Sequence, residues 1–284
     1  MSRQLLTRLL VALLVAATWL GVMPAVYAVE LPPATAPNAP AQPSVRDFVQ
    51  QLETLKQQAF TATGQGDFVA AEGYWSQIID RLPNNAAVWS NRGNVKVSQN
   101  KLTAALADYN KAIELAPAEP DSYLNRGAAF EGLSQWNAAI ADYNRVLELA
   151  PQDPAAYNNR GNAEAGLGDW SAALADYKKS AELSSNYAIA RANYALALYQ
   201  TGEVETAIRN MRYLVRRYPN FADMRAALTA VLWQQGKQGE AESQWVSAVG
   251  LDSRYKDIDW VKTIRRWPPT MVSAMDKFLN LKSM

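Results

Sequence analysis

A chain of 284 residues with no cysteine and no histidine has no disulfide, no cysteine-linked lipid, and neither the commonest general base nor the commonest zinc ligand. Its 28 Lys and Arg against 27 Asp and Glu leave a net charge of +1 and no pull toward nucleic acid, while 49% hydrophobic and 19% charged residues are the make-up of a globular protein. An enzyme could still use carboxylates and lysines, a thin set of catalytic groups. The sequence has no phosphate-binding glycine loop, metal-ligand cluster or carboxylate pair of defined spacing, so no catalytic residue, metal or cofactor is expected.

Met1–Ala28 carries Arg3 and Arg8, an apolar run from Leu9 to Met23, and small residues Val26 and Ala28 placed for a cut before Val29. That is the layout of a secretory signal peptide, and there is no twin-arginine pair. The alternative is an uncleaved anchor, but the run is shorter than the about 20 residues that span a bilayer. Removing this segment leaves 26 basic residues against 27 acidic. Residues 29–45 hold five prolines and few apolar side chains, which predicts an extended linker that cannot offset its ordering entropy by burial.

Residues 46–255 are periodic. Pro83, Pro117, Pro151 and Pro219 fall on a 34-residue spacing, with Ser185 in the vacant slot. Ala71, Ala105, Ala139, Ala173, Ala207 and Ala241 share it, as do Trp75, Tyr109, Tyr143, Tyr177, Met211 and Trp245 four residues later. Six blocks result: 52–85, 86–119, 120–153, 154–187, 188–221 and 222–255. Each reads as two short amphipathic helices joined by a polar turn, such as Gly168-Asp169 or Ser134-Gln135, with Gly able to take the left-handed conformation that ends the first helix. Proline closes the second helix. Glycine at the eighth position and alanine at the twentieth leave room where the two helices cross. Aromatic residues at positions four and twenty-four fill the gaps.

The middle three blocks share Asn-Arg-Gly strings (Asn91-Arg92-Gly93, Asn125-Arg126-Gly127, Asn159-Arg160-Gly161). Only these blocks have arginine at position seven, and only these have aspartate at position twenty-three (Asp108, Asp142, Asp176). Both charges are present or neither is, which predicts an Arg–Asp pair between the two helices of each middle block.

On this period and on its spacing of aromatic, Gly, Ala and Pro, the chain resembles the tetratricopeptide repeat (TPR) family. The resemblance implies an all-α fold: a right-handed superhelix of six helix-turn-helix repeats whose weaker terminal blocks cap the stack. It also implies a concave groove lined by the first helices, which binds extended or helical peptides. Position six faces that groove in the family. Here it is Asn91, Asn125, Asn159 and Asn193, with Asn94 and Asn162 at position nine of blocks two and four. An amide offers donor and acceptor to a peptide backbone without demanding a side-chain sequence. The competing role for each is to hold neighbouring helices together. The family's two-carboxylate clamp needs several cations at set positions, and Lys56 is the only one present at them, so a chaperone-tail clamp is not expected.

Arg209, Arg212, Arg216 and Arg217 form a basic run on the second helix of block five: a solvated outer face, or a dock for an acidic partner or an anionic membrane surface. Residues 256–284 leave the period. Trp260, Val261, Ile264 and Trp267 are spaced for one helix face, Pro268-Pro269 break it, and Met271, Val272, Met275, Phe278 and Leu279 make a second face. This tail either caps the last repeat or docks a partner through its two tryptophans beside Arg265-Arg266. Its RRWPP…DKFL ending resembles that of TPR proteins of the thylakoid lumen of chloroplasts and cyanobacteria. The expected function is an exported, non-enzymatic scaffold for protein or peptide partners in a thylakoid lumen or periplasm, for assembly or maintenance of membrane protein complexes. A periplasmic adaptor in envelope biogenesis is the alternative. A carboxylate-based enzyme would need an acidic cluster in one cleft that the repeats do not supply.

Overall fold

The computed structural model describes residues 44–282; the expected signal peptide at 1–28 and most of the expected linker lie outside them. Ser44 Oγ accepts the Asp47 amide while Asp47 Oδ2 accepts the Ser44 amide, a reciprocal cap that starts the first helix. Ser44 and Val45, the last two residues of the stretch read as linker, therefore belong to a helix start.

Six antiparallel pairs follow: α1 (Val45–Gly64) with α2 (Phe68–Arg81), α3 (Ala86–Ser98) with α4 (Leu102–Leu115), α5 (Pro120–Gly132) with α6 (Trp136–Leu149), α7 (Pro154–Leu167) with α8 (Trp170–Leu183), α9 (Ala188–Gln200) with α10 (Val204–Arg217), and α11 (Ala222–Gln234) with α12 (Gln238–Leu251). A 3-10 turn (Ser253–Lys256), a short α13 (Ile258–Thr263) and α14 (Pro269–Lys282) complete the described chain. None of these helices is long and apolar enough to cross a membrane.

The turns inside the pairs carry their own explanation. Gly66, Gly168, Gly202 and Gly236 sit at φ between 71° and 91°, where a Cβ would be strained. Repeats two and three lack this glycine and hold Asn100 (φ 59°) and Ser134 (φ 57°) in the same conformation. Between repeats, the residue at position four satisfies a loop carbonyl. Trp89 Nε1 donates to the Pro83 carbonyl at 2.8 Å, the Tyr123 hydroxyl to Pro117 at 3.2 Å, and the Tyr157 hydroxyl to Pro151 at 3.3 Å. Arginine takes over where the aromatic is lost: Arg191 Nε donates to the Ser185 carbonyl and Arg225 Nε to that of Pro219. The fourth position is thus a half-buried tie across the inter-repeat loop as well as a filler.

Position twenty-four is the filler proper. Tyr109, Tyr143 and Tyr177 are buried, each with its ring flat on the position-eight glycine of its own repeat. A Cβ on Gly93, Gly127 or Gly161 would lie 2.6, 2.6 or 2.8 Å from that ring. Gly127→Ala is therefore expected to destabilise the chain by about 2 kcal/mol, overpacking outweighing the ~1 kcal/mol that alanine adds to helix propensity. The midpoint of urea unfolding measures this, and an unchanged or raised midpoint would show the Tyr143 ring free to tilt away.

Small apolar clusters join each of repeats one to four to the repeat that follows it, whereas repeats five and six share one large core with the C-terminal segment. The tail's two apolar faces differ in fate. Met271, Ala274, Met275 and Phe278 of α14 are fully buried, and Phe278 stands edge-on to Trp233 and Trp245 with centroids 5.2 and 5.1 Å away. Val261 and Trp267 are buried too, but Ile264 is 65% exposed. The expected face containing Ile264 is not formed, because α13 ends at Thr263 and the chain turns through Arg266 at φ 52°.

Candidate partner-binding groove

Successive first helices touch one another, α3 against α5 and α5 against α7, which places them on the inner side of the curve. What holds them in register is the arginine at position seven. Arg126 Nε and Nη2 donate to the two carboxylate oxygens of Asp142 at 2.8 and 2.6 Å, and Arg92–Asp108 and Arg160–Asp176 repeat the bidentate geometry at 2.6–2.8 Å. The expected pairs between helices are present. Each arginine does more, because its Nη1 reaches back to position twenty-five of the preceding repeat: Ser76 for Arg92, Asn110 for Arg126, Asn144 for Arg160. One guanidinium thus fastens a repeat internally and to its neighbour. A signal for this was present, since Ser76, Asn110 and Asn144 precede the arginine-bearing repeats, whereas Lys178 and Arg212 precede Tyr194 and Leu228.

Position eleven separates the three clamps. In repeat two Lys96 adds a second cation to Asp108 at 2.8 Å, in repeat three Phe130 lies under Arg126, and in repeat four a carboxylate, Glu164, occupies the place. Glu164 is largely buried, one of its oxygens has no hydrogen-bond partner, and Arg160 is already shared between Asp176 and Asn144. Burial first, and the Asp176 carboxylate second, push the Glu164 carboxyl up to about 7 from 4.5. The folded state then binds more protons at this group than the unfolded state does between these values, so Glu164's contribution to stability is greatest below about 4.5 and is lost as pH climbs to about 7. Glu164→Gln is expected to stabilise the chain by about 1–3 kcal/mol above pH ~8 and by little near pH ~4. Denaturation midpoints of both proteins across this range test it, and parallel curves would remove the assignment.

The groove itself is divided. In repeats five and six the inward positions five, six and nine are Ala192, Asn193 and Leu196, then Ala226, Ala227 and Ala230, and all but Asn193 are buried. Helix α14 packs on α11 and α9, and the Thr270 amide donates to Gln200 Oε1 at 2.9 Å. A buried carboxylate fastens the segment leading to it: Asp223 Oδ1 accepts from the Tyr255 hydroxyl at 2.7 Å, Arg265 Nε at 2.9 Å and Trp267 Nε1 at 3.0 Å. The two tryptophans and Arg265 that could have served an external dock are used inside the chain, Trp260 standing edge-on to Tyr255.

In repeats one to four the corresponding positions are polar apart from Phe60, Leu124 and Ala128, and all but Asn158 are at least partly exposed. Asn91 and Asn125 are half-buried, with no side-chain hydrogen bond among the described residues. Asn159 is half-buried and accepts from Asn158 at 3.2 Å. Asn94 is exposed, its oxygen taking the Tyr109 hydroxyl at 2.7 Å. Asn162 accepts the Tyr177 hydroxyl at 3.0 Å and the Asn193 amide at 3.3 Å. The Asn193 amino group also donates to Asn158 at 2.9 Å, so it is committed within the chain. Phe60, 49% exposed at position nine of repeat one, ends the row edge-on to Trp75. In the basic run, Arg212 pairs with Glu240 through two bonds of 2.8 and 2.6 Å, Arg209 donates to Thr206, and Arg217 lies over Tyr218.

This is an all-α helical-repeat protein, a right-handed superhelix of six helix pairs closed by a C-terminal helical segment. Tetratricopeptide repeats are found in it: one TPR model matches residues 93–134 and 133–168, and a second matches 193–254. Among solved structures, a tetratricopeptide repeat protein from Parabacteroides merdae is 22% identical with a TM-score of 0.61, covering 81% of this chain and 93% of its own. YrrB, described as a TPR protein with an unusual peptide-binding site, is 20% identical with a TM-score of 0.51, covering 63% and 92%. MamA is 20% identical with a TM-score of 0.52, covering 60% and 92%. At these identities the likeness concerns the fold. No curated protein matches the chain.

Proposed function

We propose that this chain is a non-enzymatic scaffold that holds a protein partner as an extended segment in the open groove of repeats one to four. The observation that carries the reading is the division of the concave face. Repeats five and six are covered by the chain's own α14, while the same positions in repeats two to four stay open and are rich in amides. Four first helices about 10 Å apart span roughly 30 Å, room for about nine extended residues. Asn91, Asn125 and Asn159 would meet the partner's backbone, which suits recognition by shape more than by sequence. YrrB's described peptide-binding site makes a peptide the natural first probe.

The leader at 1–28 supports export, and the RRWPP…DKFL ending supports a thylakoid lumen, with assembly or maintenance of membrane complexes as the role. A periplasmic adaptor in envelope biogenesis is the second reading, supported by the same leader. Pull-down from the membrane fraction with the wild-type chain and with Asn91→Ala, Asn125→Ala, Asn159→Ala combined is the test. The bound partners should fall about tenfold or more, and an unchanged set would rule out the groove as the main site. Mass spectrometry of the mature chain from each compartment checks whether it begins after Ala28.

A further inference from the structure

On the outer surface, repeats two and three neutralise themselves in the same way. At positions twenty-six and twenty-nine, Lys111 pairs with Glu114 at 2.6 Å and Arg145 with Glu148 at 2.7 Å. Position twenty-two, on the same face, is Ala107 or Ala141. Repeat five breaks this register at all three places, with Arg209, Tyr213 and Arg216, and Arg217 follows. These four residues are exposed and recur at i, i+4, i+7 and i+8 along about 12 Å of α10. None of the three arginines has a carboxylate within ion-pair distance among the described residues. Arg212, one turn from both Arg209 and Arg216 at the border of the stripe, is neutralised by Glu240. Repeats two and three act as an internal control: the fold does not require cations here, since it is built there with an alanine and a closed ion pair.

We propose that the Arg209–Tyr213–Arg216–Arg217 stripe is a second interaction surface, separate from the groove, which docks an acidic protein segment rich in aspartate and glutamate. Guanidinium groups grip carboxylates in bidentate fashion, and exposed tyrosine flanked by arginine is the make-up of interface centres. Tyr213 is 41% exposed and held from below by the Arg191 guanidinium, 5.4 Å from its ring. A lipid surface fits less well, because three exposed cations fall short of the about four to eight that recruit a basic patch to anionic membranes. The stripe also offers no broad apolar face to insert.

The test uses the purified chain with a fluorescently labelled oligo-glutamate, and separately with vesicles of phosphatidylcholine and about one-third phosphatidylserine. The variant is Arg209→Ala, Tyr213→Lys, Arg216→Glu, which carries repeat two's residues at the same three positions and leaves the core and Arg212 untouched. Salt-sensitive binding of the peptide, reduced about tenfold or more in this variant and retained by the groove variant lacking its three asparagines, supports the proposal. Equal binding by the variant overturns it. Binding to vesicles without binding to the peptide overturns it too, as does the absence of binding to either.

Discussion

Replacing Asp223 with alanine is expected to destabilise the chain by about 3–5 kcal/mol and to loosen the segment between α12 and α14. The carboxylate is buried, and a single oxygen accepts a hydroxyl, an indole N–H and a guanidinium, all from residues 255–267. Its loss strands the Tyr255 hydroxyl and Trp267 N–H without an acceptor and leaves Arg265 unpaired, each a desolvation cost with nothing to offset it. Helix α14 should stay in place, since full burial of Met271, Met275 and Phe278 contributes on the order of 6 kcal/mol. Trypsin should then cut at Lys262 or Arg265 much faster than in the wild type, with the α14 fragment still bound after cleavage. Asp223→Asn keeps an acceptor oxygen and should lie between the two. Wild-type resistance to trypsin together with a midpoint change below ~1 kcal/mol would sink the latch.

The second large effect belongs to the middle clamps. Asp142→Ala should cost about 3 kcal/mol, because it leaves the Arg126 guanidinium mostly buried against Asn110 and the Tyr123 and Phe130 rings with no counter-charge. Joint replacement of Arg126 and Asp142 by leucine should recover most of that loss, since an apolar pair of similar volume carries no desolvation penalty. Repeat six shows that the fold can do without both charges, with Leu228 and Gln244 at these positions. The comparison is Glu240→Ala, which breaks an equally well-formed pair with Arg212 whose side chains are 33% and 39% exposed. Solvent screens that pair, and the expected cost is below about 1 kcal/mol. If urea midpoints gave the two single alanine variants the same loss, burial would not be what gives the clamp its weight.

Local features of this chain were legible because local physics sets them. The 34-residue period announces the helix pairs, and the joint presence of Arg126 with Asp142 and of their counterparts announces the clamps, since a charge kept beside a core needs a partner. The link from Arg126 back to Asn110 was also written in the sequence, as a polar residue preceding each arginine-bearing repeat. Glu164 was not legible as a raised carboxyl, because its burial and the prior commitment of Arg160 exist only once the repeats have stacked. Asn193, in the same register as Asn91, read as an equal member of the ladder. The stack brings it onto Asn158 and Asn162, so its amino group is used within the chain.

The C-terminal segment marks the boundary most clearly. Its apolar spacing and its prolines determined that two short helices would seek cover, and the repeat count determined that the last pair would need a lid. Where that cover lies was decided in three dimensions. Nothing in the sequence singles out Asp223 from the exposed Asp121 at the same repeat position, yet one carboxylate fastens the tail and the other does not. The alanine-rich inner faces of α9 and α11 let a helix approach closely and dry the contact, whereas laying it on the asparagines of α3, α5 and α7 would bury amides without partners. The sequence by itself therefore determined the repeat, its clamps and the amide row. Only the tertiary structure decided which half of the groove the chain keeps for itself and which half it leaves open, because burial and its cost are properties of the assembled stack.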